Sequence, residues 1–245
     1  MSDILIIPLS EFIQKAVISL GVLAILDFGW AYHTKARYFS LHGLWNIIIT
    51  ILILPDLYYT IIDPLHAMAP GNDFNRWPVI MVVVLHFWHC VAYSGLTWDD
   101  YFHHFVFVVG LSCVNFVWDW GYATNFLIFF ICGLPGGLDY LMLAAVKHGY
   151  IQKISEKRIN KLLNVWCRGP GCIASACLIW INSFSGGTAH IPTTAKILTG
   201  LLAFTNGQYY SRRVVESCAV HELKLSQSFE KHYCSNCNSE ISSSD

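Results

Sequence analysis

Long apolar stretches separated by short polar segments make up most of this chain. They predict seven helices, at about residues 16–32, 44–62, 78–96, 101–118, 125–146, 165–184 and 191–210. Each stretch has roughly 17–22 residues, which is enough to cross a hydrocarbon core of about 30 Å at 1.5 Å per residue. The pattern therefore predicts an all-α, multi-pass transmembrane bundle of about seven helices with a short polar C-terminal tail.

Composition supports the membrane prediction and excludes other classes. Hydrophobic residues make up 55% of the chain and charged residues only 13%, which is far from the averages of soluble domains. The net charge is −1, and no dense basic cluster of the kind that contacts phosphates is present, so we expect no nucleic-acid partner. The 9 cysteines are scattered, and no disulfide framework can be read from their spacing.

The apolar stretches and the polar end divide the chain into three parts. The first part, residues 1–37, holds one helix, in which Asp27 indicates loose and peripheral packing. The second part, residues 38–211, holds the other six helices. The third part, residues 212–245, is polar and ends in a serine-rich segment, so we predict a disordered tail.

Lysine and arginine divide the connections between helices into two groups. The loops at 33–43 and 147–163 and the start of the tail hold most of them, whereas the intervening loops hold only Arg76. By the positive-inside rule the N-terminus lies in the lumen and the C-terminus in the cytosol.

Helix-breaking residues stand inside two of the apolar stretches. Pro55 lies in the second stretch and Pro135-Gly136-Gly137 in the fifth. Because proline removes a backbone donor, we expect the helix to be interrupted at both points. An interrupted helix is tolerated in a membrane only where protein or a water-filled cavity satisfies its backbone, which predicts a cavity wall beside Asp139.

Polar side chains also lie inside the apolar stretches, where they are costly and usually functional. Counted along each helix at 1.5 Å per residue, most of them fall in one layer near the cytosolic ends, which predicts a polar cavity open to the cytosol. The candidates for lining this cavity are Asn46, His86, His89, Tyr93, His103, His104, Asn115, Asp139 and Asn206.

The candidates for catalysis, if the protein is an enzyme, are the adjacent His103 and His104 together with Asp139. Imidazole titrates near neutral pH, so a histidine can take a proton from an amine or a hydroxyl group. Asp99 and Asp100 stand four residues before the two histidines, the spacing at which helical side chains meet, so they could orient the imidazoles. The structural alternative is that these groups satisfy one another, with Asp139 paired to the lysine at the end of its helix or capping the interrupted helix.

Several of these residues resemble the TLC-domain membrane proteins, the family that includes the ceramide synthases. The resemblance rests on the pair His103-His104, on Asn115, on Asp139-Tyr140-Leu141 and on Lys147. It covers roughly residues 38–210 and implies a six-helix TLC domain in the endoplasmic reticulum membrane. It further implies a cavity for a membrane lipid or an acyl chain.

The resemblance leaves three functions open. Ceramide synthases continue their motif with a His-Asp pair, whereas this chain has Cys132-Gly133-Leu134-Pro135 in that region. The missing pair favours a non-catalytic role in membrane lipid homeostasis or sensing. The alternatives are an acyltransferase of ceramide-synthase type, which would use acyl-CoA as a substrate, and a structural subunit of a membrane complex.

Metal binding is the other chemistry that the histidines suggest. His86, His89, His103 and His104 are too few for the two irons of a membrane oxygenase, although a single metal bound by them and Asp139 is an alternative. The tail offers a second possible ligand set with Cys-x-x-Cys spacing: His221, His232, Cys234 and Cys237. Because only one Cys-x-x-Cys is present, we predict no metal and no resident cofactor.

Overall fold

The computed structural model describes the backbone of residues 7–242 and the side chains of residues 7–228. Within these residues the chain forms seven helices and no strand, so the predicted all-α bundle is confirmed. The helices are α1 (Leu9–Gly29), α2 (Arg37–Ile62), α3 (Trp77–Ala92), α4 (Trp98–Val117), α5 (Ala123–His148), α6 (Lys153–Phe184) and α7 (Thr193–Ser242).

The protein is an integral membrane protein. Five helices, namely α1, α2, α4, α5 and α6, are long and apolar enough to cross a membrane. The helix α3 is apolar but has only 16 residues, which is about 24 Å at 1.5 Å per residue. Large apolar side chains remain exposed on the outer surface of the bundle, as lipid-facing side chains do, and they include Ile25, Phe105, Trp166 and Phe184.

Three helices contain a stretch of wider, π-helical turns. These stretches are His103–Val109 in α4, Phe129–Gly133 in α5 and Asn164–Arg168 in α6. The predicted interruption at Pro135 is wrong, because α5 is continuous and its π-helical turns immediately before Leu134 accommodate the proline ring. The helix α2 likewise continues through Pro55.

Glycines let α2, α5 and α6 approach one another closely. A Cβ atom added at Gly43 would lie 2.8 Å from the side chain of Leu141, and one added at Gly137 would lie 2.9 Å from Ile47. A Cβ atom at Gly171 of α6 would lie 2.1 Å from the ring of Phe130. The glycine after Pro135-Gly136 therefore serves close helix packing, as small residues commonly do between membrane helices.

Asp27 attaches α1 to the rest of the bundle. Its carboxylate is fully buried and accepts two hydrogen bonds of 2.7 Å from Arg37 and one of 2.9 Å from the indole of Trp88. The guanidinium of Arg37 also lies 4.9 Å from the centre of the Tyr93 ring. The helix α1 is peripheral, but the bonds of Asp27 attach it to α2 and α3, so it is not loosely packed.

Residues 212–242 differ from the disordered tail that the sequence predicted, because their backbone continues α7. Neither proline nor glycine occurs after Gly207, so nothing in the sequence ends the helix. A pair four residues apart, Arg212 and Glu216, forms a 2.7 Å salt bridge of the kind that supports an exposed helix. The basic segment before the sixth apolar stretch is helical as well, since α6 begins at Lys153.

The first part of this tail contacts α6. Arg158 donates a 2.9 Å hydrogen bond to Glu222, and this bond lowers the pKa of Glu222. The side chain of His221 bonds the backbone carbonyl of Ser217. The other possible zinc ligands, His232, Cys234 and Cys237, lie outside the described side chains.

Candidate functional site

A cavity of about 660 Å³ lies inside the bundle near the end where α7 leaves it, and we call it the polar cavity. All helices except α1 contribute to its lining. The polar and charged side chains that line it are Tyr38, His42, Asn46, His86, His89, Thr97, Asp99, Asp100, His103, Asp139, Tyr140, Arg168, Asn206, Tyr210 and Arg213. Six of the sequence candidates thus meet here, namely Asn46, His86, His89, His103, Asp139 and Asn206.

A narrow apolar pocket of about 60 Å³ adjoins the polar cavity, and we call it the apolar pocket. The two share His86, His103, Ile131 and Cys132 as lining residues. The remaining lining residues of the apolar pocket are Val79, Val82, Phe107, Val108, Leu111, Ser112, Asn115, Thr124, Leu127 and Ile128. The polar cavity and the apolar pocket therefore meet at the two histidines.

His103 is held by hydrogen bonds on both ring nitrogens. Its Nε2 lies 2.9 Å from Nε2 of His86, and its Nδ1 lies 3.0 Å from the hydroxyl of Tyr210. Nδ1 of His86 lies 2.7 Å from the carbonyl of Val82, which can only accept, so Nδ1 of His86 carries a proton.

This assignment sets the direction of the remaining bonds when both rings are neutral. Nε2 of His86 must then accept, so His103 donates from its Nε2. Nδ1 of His103 in turn accepts from the hydroxyl of Tyr210. The chain of donors therefore runs from Tyr210 through His103 and His86 to Val82.

His104 does not line the polar cavity. It is buried between α3 and α4, with its ring centre 5.1 Å from that of His89 and its Nδ1 3.7 Å from the sulfur of Cys90. Its Nε2 has no hydrogen-bond partner among the described residues. Adjacent residues of a helix point in different directions, and here only His103 points into the cavity.

Two other sequence candidates also lie outside the polar cavity. Tyr93 follows the end of α3 and packs beside Arg37. Asn115 lines the apolar pocket, but its amide donates to the carbonyl of Leu111 at 2.8 Å and accepts from Thr124 at 2.9 Å. These bonds satisfy Asn115 within the bundle and join α4 to α5.

The predicted pairing of Asp99 and Asp100 with the two histidines is wrong. Asp99 accepts a 2.7 Å hydrogen bond from Arg213 of α7, and Asp100 forms a capping box with Thr97 at the start of α4. Carboxylates in the first turn of a helix readily take such capping roles.

Asp139 lies in the wall of the polar cavity without an ion-pair partner. No cation of the described residues lies within 4.0 Å of its carboxylate, so the predicted pair with Lys147 is not formed. Its Oδ1 atom is buried and has no hydrogen-bond partner among the described residues. Nor does it cap an interrupted helix, since α5 is continuous.

Sequence reasoning missed two important members of the site. Arg168 stands in the sixth apolar stretch, where a lone arginine is costly, and that cost is the signal that could have identified it. Its guanidinium lies 5.2 Å from the centre of the Tyr210 ring and donates a 3.0 Å bond to Asn164. Tyr210 is the second of these members, and no sequence signal shows that its hydroxyl bonds His103.

In the part of the chain that the structure describes, no group of three or more His, Cys, Asp or Glu side chains is placed to hold a metal ion. The bond between His86 and His103 uses the two nitrogens that would otherwise face a shared ion. The cluster is instead a hydrogen-bonded wall of the cavity.

Comparison of the chain with protein-family models, curated proteins and solved structures gives no match. The resemblance to TLC-domain proteins therefore stays a prediction. The function must be argued from the geometry of the cavity.

Proposed function

We propose that this protein binds a membrane lipid or another amphiphile with an acyl chain, and that it acts in membrane lipid homeostasis or sensing. The observation that carries the proposal is the junction of the polar cavity with the apolar pocket at His86 and His103. An amphiphile has the same division, with a polar head beside an apolar chain. A volume of about 660 Å³ also falls in the range of roughly 300–1,000 Å³ typical of ligand sites.

Acyl transfer is the second candidate, and the bond between Tyr210 and His103 is the observation in its favour. Tyrosine and histidine are both groups that can exchange protons with a substrate. However, His103 uses both of its nitrogens inside the protein, so a substrate amine or hydroxyl would have to displace Tyr210 before Nδ1 could accept its proton. This arrangement favours binding over catalysis.

We further propose that the cavity opens to the cytosolic side of the endoplasmic reticulum membrane. The distribution of lysine and arginine supports this orientation, and the resemblance to TLC-domain proteins supports the organelle. A glycosylation acceptor introduced near Asn72 should then be modified, whereas one introduced near Ser155 should not. The reverse pattern would require the opposite orientation.

Lipid extraction from the purified protein tests the binding function. Ser112 lines the apolar pocket, so Ser112→Phe should fill it and remove most of the lipid that copurifies with the wild-type protein, as measured by mass spectrometry. The neighbouring Cys113 is exposed on the outside of α4, and Cys113→Phe is the matched control. Equal lipid content in both variants, or no lipid in the wild type, would contradict the proposal.

An activity assay separates the two candidates. Purified protein supplied with a long-chain acyl-CoA and a sphingoid base should produce no ceramide-type product. General acid and base assistance contributes about 10²–10⁴-fold to a rate, so an enzyme that used His103 would lose nearly all of its activity in His103→Ala. If the wild-type protein turned over and His103→Ala did not, acyl transfer would replace lipid binding as the proposed function.

A further inference from the structure

Two opposite charges line the polar cavity without binding each other. Asp139 comes from α5 and Arg168 from α6, and neither takes part in a salt bridge with any described residue. Apart from its bond to Asn164, Arg168 has a buried Nε atom with no partner among the described side chains. Both side chains are partly buried, and a charge that is removed from water is normally paired, because an unpaired one loses its hydration without compensation. Each of these two charged groups thus lacks a counter-ion among the described residues.

Two buried amides in the same cavity also lack partners. Asn46 and Asn206 are 3% and 1% exposed, and both line the polar cavity. Oδ1 of Asn46 and both amide atoms of Asn206 have no hydrogen-bond partner within the described residues. Buried polar atoms are almost always satisfied, so these atoms indicate a polar ligand or ordered water in the cavity.

Gly136 brings two of the donors together. A Cβ atom at this position would lie 3.2 Å from Nδ2 of Asn46 and 3.6 Å from Nη2 of Arg168. The absence of a side chain at Gly136 therefore leaves space beside an amide donor and a guanidinium donor, which is a suitable environment for a phosphate oxygen. Asp139, three residues later on α5, provides the negative group.

From these contacts we infer that Asp139 and Arg168 bind the two charges of a zwitterionic phospholipid headgroup that carries a primary ammonium. Arg168 and Asn46 bind the phosphate, and Oδ1 of Asp139 accepts a hydrogen bond from the ammonium. A trimethylammonium group has no N–H to donate, so the site prefers a phosphoethanolamine to a phosphocholine headgroup. The inference rests on the proposed lipid-binding function and specifies its ligand.

The other charges of the cavity do not favour a strongly anionic ligand. Asp99 and Arg213 neutralise each other, whereas Asp100 bonds the neutral Thr97 and keeps its negative charge. Only one arginine is then free of an ion pair among the described residues lining the cavity. That is few cations for the several phosphate groups of an acyl-CoA, each of which would need a counter-charge.

Binding of three lysolipids with the same acyl chain tests the inference on the full-length protein in detergent. The probes are lysophosphatidylethanolamine, lysophosphatidylcholine and lysophosphatidic acid, competed against one another in native mass spectrometry. The wild-type protein should prefer the ethanolamine lipid to the other two by about tenfold or more, since one charge-assisted hydrogen bond changes a binding constant by that order. Because this ratio is measured on the wild type, it does not depend on a variant that folds.

Two charge variants then assign the preference to its residues. Asp139→Asn should remove the preference for the ethanolamine lipid over the choline lipid, and Arg168→Gln should weaken all three phosphate-bearing lipids. The controls are Asp63→Asn and Lys147→Gln, which remove one charge of the same sign at exposed positions and should leave the ratios unchanged.

Three outcomes decide between the inference and the function on which it rests. Equal binding of the three lysolipids, with all three lost in Ser112→Phe, would overturn the headgroup assignment and leave the lipid-binding function standing. A preference that survives Asp139→Asn would also overturn the assignment. No binding of any lysolipid to the wild type would overturn both.

Discussion

Nε2 of His86 and Nε2 of His103 lie 2.9 Å apart, at the wall where the polar cavity meets the apolar pocket. His86 comes from α3 and His103 from the first π-helical turn of α4, so the bond joins two helices that are adjacent in the chain. Tyr210 of α7 adds a third helix through the other nitrogen of His103. The pair therefore supports the cavity wall.

Replacing the two adjacent histidines by leucine should have very different effects on stability. His103→Leu leaves the hydroxyl of Tyr210 and Nε2 of His86 without their partner, which should cost about 1–3 kcal/mol. His104→Leu removes a buried nitrogen that has no partner among the described residues, so it should be close to neutral. Thermal unfolding in detergent measures both, and the opposite order of stability would contradict the hydrogen-bond assignment.

The contact between α5 and α6 should be intolerant of any side chain at Gly171. A Cβ atom there would lie 2.1 Å from the ring of Phe130, so Gly171→Ala should destabilise the protein by about 1–3 kcal/mol through overpacking. Gly200→Ala is the control, because its nearest neighbour, the indole of Trp180, is 3.9 Å away. Adding Phe130→Leu to Gly171→Ala should recover part of the loss, and no recovery would place the cause elsewhere.

The attachment of α1 should depend on Asp27. Asp27→Ala leaves Arg37 without its counter-ion, and we expect a loss of about 3 kcal/mol, at the lower end for buried pairs because Arg37 keeps some contact with water. The control is Glu216→Ala, which breaks an exposed pair with Arg212 and should change stability much less, because solvent screens exposed pairs. Chemical unfolding of both variants provides the comparison, and equal losses would contradict a special role for Asp27.

Contact between the tail and α6 should weaken in acid. The salt bridge with Arg158 lowers the pKa of Glu222. The stabilisation by this bridge is therefore complete at a pH above the ordinary pKa of glutamate, and it is lost as the pH falls through the lowered pKa of Glu222. Hydrogen exchange of the tail amides should therefore show less protection at low pH. Arg158→Gln should remove this pH dependence, and its persistence in that variant would assign it to another group.

The sequence alone determined the class of the protein and the number of its helices. The thickness of a bilayer sets the length of an apolar stretch, and that length is visible in one dimension. The cost of polar groups in lipid also identified several members of the cavity, including His86, His103 and Asp139. These conclusions need no knowledge of how the helices are rotated about their axes.

The tertiary structure alone decided which polar groups meet. Spacing along a regular helix predicts that Asp99 meets His103, but Asp99 accepts a bond from Arg213, which is 114 positions away, and His103 bonds Tyr210. Close packing at Gly137 and Gly171 sets how α5 lies against its neighbours, and this packing depends on side chains far apart in the chain. Helix rotation is a property of such contacts, which is why the roles of Arg168 and Tyr210 could be recognised only in the assembled bundle.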